Sequence, residues 1–167
     1  MTRRSVEAVI QALNNSDVRY LVVGGLAVVA HGVVRFTADI DLVLDPDSES
    51  LQRAIAALST LGYRPRAPVD FDDLADPVKR ADWVTQKNMT VFSLFSDLHA
   101  ATEVDLFVEP PFDFDTAYGD ALSVEIADGQ FATIVDRPRL IAMKRKVGRP
   151  EDLLDIERLE SANDDES

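Results

Sequence analysis

The sequence contains no cysteine in 167 residues, which excludes disulfides and thiolate metal sites together. It has no apolar run approaching the roughly 18 residues that a bilayer-crossing helix needs. The opening residues Met1-Thr2-Arg3-Arg4 bring two charges with no apolar segment behind them, so no secretory signal is expected. Histidine occurs only at His31 and His99, too few for a convincing zinc site, and both are expected to be structural. Basic residues are outnumbered: 17 Lys and Arg against 30 Asp and Glu leave a net charge of −13. Such a chain repels nucleic-acid backbone at long range, which argues against a broad DNA-coating role. These absences together lead us to expect a cytoplasmic protein with no membrane partner.

What is present suffices for one core. The hydrophobic fraction is 46%, and the length suits a single domain, expected over 1–160 with an acidic flexible tail over 161–167. The scarce basic residues are unevenly spread. Arg137, Arg139, Lys144, Arg145, Lys146 and Arg149 fall in one acid-free stretch, which could form a local phosphate track.

Periodicity places the elements. Val6, Val9, Ile10 and Leu13 share one helical face. Tyr20 to Val23 is a buried strand ending at the Gly24-Gly25 turn, and Leu26 to His31 suits a short helix. Ile40 to Leu44 is a second strand. Asp47 caps a helix with Leu51, Ile55, Leu58 and Leu61 inward, which stops at Gly62. Residues 64–88, rich in proline and aspartate, read as a long loop or lid with at most one short helix, Trp83 packing beneath it. Met89 to Phe95 and Glu103 to Val108 read as strands. Leu122 to Ile126 and Gln130 to Ile134 flank an Ala127-Asp128-Gly129 hairpin turn. Asp136 and Pro138 start a helix to about Val147, and Pro150 starts another with Leu153, Ile156 and Leu159 inward. The fold class is α/β (α+β), a mixed sheet with helices packed mainly on one face.

The chemistry lies between these elements. Two glycines after a buried strand let backbone approach a ligand closely, and a helix starting there aims free amides at a phosphate. Asp39 and Asp41 are two apart on a strand, so their carboxylates face one side. Like charges that close are unfavourable without a cation between them, and oxygen ligands of this kind suit magnesium shared with substrate phosphates. Asp105, inside another apolar strand, completes the set if the two strands are neighbours. Two magnesium ions would then clamp the attacking and leaving oxygens of a phosphoryl transfer, and Asp105 would help take the proton. Asp45 and Asp47 form a similar pair that reads as a loop and a helix cap. Acids are common here, so the competing reading of Asp39 and Asp41 is a solvated strand face. The ordered spacing disfavours it, because Gly24 lies fifteen residues before Asp39.

Gly24-Gly25, His31-Gly32, Arg35-x-Thr37 and Asp39-x-Asp41 resemble the signature of the nucleotidyltransferase superfamily with the DNA polymerase beta-type fold. The likeness is strongest to small bacterial AbiEii/MenT-like nucleotidyltransferases. Lys144 on a helix, followed by Arg149-Pro150-Glu151-Asp152 and Asp155, is similar to their C-terminal pattern, although Glu151 stands where a lysine is common. The resemblance implies that Gly24 and Gly25 sit beside the triphosphate and that Asp39, Asp41 and Asp105 bind metal. It implies a phosphate-binding Lys144, with Arg35 a weaker candidate for the same task and Thr37, Asp152 and Asp155 in support. It also implies transfer of a nucleoside monophosphate from a nucleoside triphosphate to an acceptor hydroxyl on RNA, tRNA or protein, as in a toxin–antitoxin component. Two alternatives stay open: modification of an antibiotic or small metabolite, and a non-catalytic nucleotide-binding or regulatory module. Many superfamily members have an extra helical domain for which this chain has little room. Recognition would then come from residues 64–88, a second copy of the chain, an antitoxin or another partner protein.

Overall fold

Thr2 accepts a hydrogen bond from the Ser5 amide and starts helix α1 (Arg3–Asn15), whose Val9, Ile10 and Leu13 are fully buried. The structure, a computed structural model, describes residues 1–164. Strand β1 (Tyr20–Val23), helix α2 (Gly24–Ala30), strand β2 (Asp39–Leu44) and helix α3 (Ser48–Thr60) follow. Asp47 caps α3 as expected, accepting from the Ser50 amide.

The stretch expected to be a long loop is largely ordered. It forms an edge strand β3 (Arg64–Pro65), a 3₁₀ turn over Phe71–Ala75 and helix α4 (Pro77–Thr85). Three local devices explain the difference. Asp70 and Asp76 each cap the element that follows them, and Pro77 occupies a first-turn position where its missing amide costs nothing. Phe71, Leu74 and Trp83 then bury themselves, the Phe71 and Trp83 rings each meeting Phe92 edge-on.

Strands β4 (Val91–Phe95) and β5 (Glu103–Phe107), helix α5 (Phe114–Gly119), the β6 (Leu122–Ala127) and β7 (Gln130–Ile134) hairpin, and helices α6 (Arg137–Val147) and α7 (Pro150–Asp164) complete the chain. The seven strands form one mixed sheet ordered β3-β4-β5-β2-β1-β7-β6. In α7, Ile156 and Leu159 point inward as expected, but Leu153 is exposed, and Asp152 and Asp155 take the inward positions. The helix runs on through Asp164, so four residues of the expected tail are helical, and 165–167 lie outside the described residues.

The faces of the sheet differ. Ile40, Leu42, Val104, Leu106, Phe92 and Leu94 are buried on one side, where Phe71 of the 3₁₀ turn and Trp83 of α4 meet Phe92. On the other face Asp39, Asp41, Glu103, Asp105 and Phe107 are only half-buried, while Val43 is fully buried. That second face is open at the sheet centre, and α6 and α7 stand beside the opening.

Candidate active site

Register brings the acids together. Strands β2 and β5 pair in parallel with Asp41 beside Asp105 and Asp39 beside Glu103. Val23, at the end of β1, pairs with Asp41 across an antiparallel step. The Gly24–Gly25 turn therefore starts immediately beside the carboxylates. Gly24 sits at φ +65°, and a Cβ there would lie 2.1 Å from Asp41 Oδ2. A Cβ on Gly25 would lie 2.7 Å from Thr37 Oγ1. The glycines thus make room first for the site's own side chains. Helix α2 begins at Gly24 with no side-chain cap.

A cleft of about 430 Å³ opens over this point. Asp39, Asp41 and Asp105 form its acidic wall, with Gly24, Gly25 and Thr37 at one end. Lys144 from α6 with Arg149 and Asp152 from the start of α7 form the opposite wall, and Arg35 and Phe36 reach in from the 31–38 segment. Asp155 is not part of the lining and lies behind Lys144.

The acidic wall is electrostatically unsatisfied. Burial, and then the charges of Asp105 and Asp39, raise the Asp41 carboxyl from 3.8 to about 7, with Lys144 pulling the other way. Burial, then Asp105 and Glu103, also raise Asp39. Asp105 Oδ1 is buried with no hydrogen-bond partner, an exception among buried polar atoms. Among the described residues, no group of three or more carboxylates or imidazoles is placed to hold a metal by itself.

The basic wall is fully matched. Lys144 is buried, its Nζ 2.8 Å from Asp155 Oδ2 and 3.3 Å from Asp152 Oδ1. Arg35 pairs with Asp155 from the other side. Arg149 donates to Asp152 from Nε at 2.9 Å and from its amide at 3.2 Å. Burial penalises the Asp152 carboxylate, but the Arg149 hydrogen bond and the Lys144 charge outweigh it and hold the group below its usual value. Asp152 and Asp155 therefore orient the cations.

The expected phosphate track over Arg137–Arg149 is partly paired, with Arg145 and Arg149 each keeping 63% side-chain exposure. Arg139 pairs with Asp120 and Asp136, and Arg145 with Glu160. Asp120 from the end of α5 and Glu160 from α7 lie 19 and 15 residues from their partners, whereas the helix cap Asp136 is only three from Arg139. Both histidines are structural, as expected. His31 Nε2 lies 2.8 Å from the Val135 carbonyl oxygen, and His99 pairs with Ser5 and stacks on Tyr63. Sequence reasoning missed Phe36, an 82% exposed aromatic at the cleft mouth, and gave Arg149 no role of its own. For Arg149, its place directly before the helix-starting Pro150 was the available signal.

No family model and no curated protein matches the chain. Solved structures do. The lincosamide antibiotic adenylyltransferase LnuA, bound to lincomycin, is similar over 97% of this chain and 98% of its own, at 16% identity and a TM-score of 0.65. The chain has a nucleotidyltransferase fold. The antibiotic-resistance factor ANT(2'')-Ia aligns over 99% of this chain and 84% of its own, at 16% identity and a TM-score of 0.59. TM1012 of Thermotoga maritima covers 92% and 89% respectively, at 17% identity and a TM-score of 0.55.

Proposed function

We propose that the chain transfers a nucleoside monophosphate from a nucleoside triphosphate to an acceptor hydroxyl. One observation supports this above the rest: two carboxylates in register, one of them with a buried unpartnered oxygen, at the mouth of a glycine turn. Groups this close repel unless a cation joins them. Asp41 and Asp105, with Asp39 at the rim, fit one or two magnesium ions that take their remaining ligands from phosphate oxygens. Such an ion, when bound, neutralises charge on the phosphates.

The chain's own groups have definable tasks. The uncapped start of α2 faces the triphosphate, and Lys144 and Arg149 oppose its charge from the far wall. Asp152 and Asp155 keep those cations in place, with Arg35 fixed against Asp155. The acceptor oxygen forms a bond to the α-phosphorus while the bond from that phosphorus to the bridging oxygen breaks. Pyrophosphate leaves with that electron pair, and Asp105 accepts the hydroxyl proton.

Two acceptor classes were expected, a macromolecule (RNA, tRNA or protein) and a small molecule. The partly paired basic segment favours the second, since Asp120, Asp136 and Glu160 compete with a polyanion for its arginines. The likeness to LnuA and ANT(2'')-Ia supports the same choice. The toxin–antitoxin reading and the AbiEii/MenT-like likeness rest on the sequence matches over about 19–45, 103–108 and 137–157 alone.

The test is incubation with each alpha-labelled nucleoside triphosphate, magnesium and separate pools of RNA, protein and small hydroxyl compounds. The Asp39→Ala/Asp41→Ala protein runs alongside. Label should enter the small-molecule pool and only with the intact protein. Transfer that persists in the double variant contradicts the assignment of the site.

A further inference from the structure

We infer that an apolar groove beside the carboxylate cleft is the acceptor site, and that the acceptor is a small molecule with an apolar body bearing a hydroxyl. The inference rests on the nucleotidyl transfer proposed above and specifies its second substrate.

The groove has a volume of about 680 Å³ and lies between β4, the 109–112 segment and α6. Pockets of this size suit a drug-sized ligand. Its walls are apolar, from Val84, Val91, Phe112 and Ala142. Val91 stays 39% exposed and Val147 61% exposed, so apolar surface faces solvent here without cover.

Continuity with the acidic wall identifies the occupant. Phe107, Met143 and Val147 line both the groove and the carboxylate cleft. Phe107 is two residues beyond Asp105 on β5, so both side chains rise from the same sheet face, roughly 7 Å apart along the strand. A hydroxyl on a body seated in the groove therefore reaches Asp105 within the length of one small molecule.

Charge disfavours a polyanion. Arg139 at the rim is already engaged by Asp120 and Asp136, and Glu109 pairs with the buried Arg80. That leaves Lys146 as an exposed cation at the rim, too little for a strand of phosphates. An uncharged apolar body meets none of these costs.

The experiment uses octyl β-glucoside below its micelle concentration as probe, with glucose as the polar control and binding read by saturation-transfer NMR. Ala142→Trp fills the groove from an exposed helix position outside the carboxylate cleft, and Val91→Asn is a second, smaller change. Octyl glucoside should bind and glucose should not. Ala142→Trp should weaken the glucoside at least about tenfold while magnesium-dependent nucleotide binding stays within about twofold. Unchanged glucoside binding in Ala142→Trp, equal binding of glucose, or displacement of the glucoside by an RNA oligonucleotide overturns the inference. Failure of the parent reading looks different: nucleotide binding indifferent to Asp41→Asn removes the transferase assignment whatever the groove binds.

Discussion

The two walls of the cleft solve opposite electrostatic problems. Across α6 and α7, Lys144, Arg35 and Arg149 meet Asp152 and Asp155, and each charge has a partner. Across β2 and β5, Asp39, Asp41 and Asp105 face one another with no cation among them, and Asp41 is pushed up to about 7. The matched wall is complete in the folded chain and holds two helices and a loop together. The unmatched wall stores repulsion that a bound cation would relieve. A protein tolerates that imbalance where a ligand completes the set, so the unmatched wall is the one that calls for a bound cation, while the matched wall holds its cations ready beside it.

The comparison breaks most visibly at Asp105. Asp105→Asn should lower nucleotidyl transfer by about 10²–10⁴-fold, the range for a lost proton acceptor, with the fold retained by circular dichroism. On the opposite wall the loss should be in stability. Lys144→Met leaves Asp152 and Asp155 buried with less compensation, and should cost about 3 kcal/mol in urea unfolding. A partial recovery in Lys144→Met/Asp155→Leu would mark that pair as structural; continued weak nucleotide binding would mark the lysine as functional too.

The acidic wall should show the reverse sign. The folded protein holds a proton on Asp41 up to about pH 7, whereas the unfolded chain releases it near 3.8. Between those values the folded state binds more protons, so the stability linked to Asp41 is fully present below about pH 4 and lost as pH rises toward 7. Metal-free protein should therefore lose stability across that window, on the order of 2 kcal/mol, and Asp41→Asn should flatten the profile. Urea midpoints at pH 5 and pH 8 measure this directly. The smallest effect belongs to the exposed pair on α6. Arg145→Ala should cost at most about 0.5 kcal/mol, because its contact with Glu160 lies in solvent.

Much of the frame was legible because its signals are local. The glycines, the aspartate pair and the apolar alternation of β1, β2 and β5 lie within short windows, and the register of β5 on β2 put Asp105 where the strand pattern required. The order in 64–88 was less visible because it depends on Asp70 and Asp76 as caps and on burial of Trp83 against Phe92, a contact between separate elements. The pairing of Arg35 was hidden for the same reason. Arg35 meets Asp155 across 120 residues, and no window of sequence contains both. Leu153 turned outward because the first inward positions of α7 went to Asp152 and Asp155, whose partners on α6 outweigh the apolar pattern.

The central claim is that the acidic wall is a magnesium-dependent nucleotide site. Calorimetric titration of a nucleoside triphosphate into the protein, with and without magnesium, tests it most directly when Asp41→Asn is titrated in parallel. Binding that requires magnesium in the wild type and disappears in Asp41→Asn is the predicted result. Binding of equal strength without magnesium, or unchanged in the variant, would contradict the account.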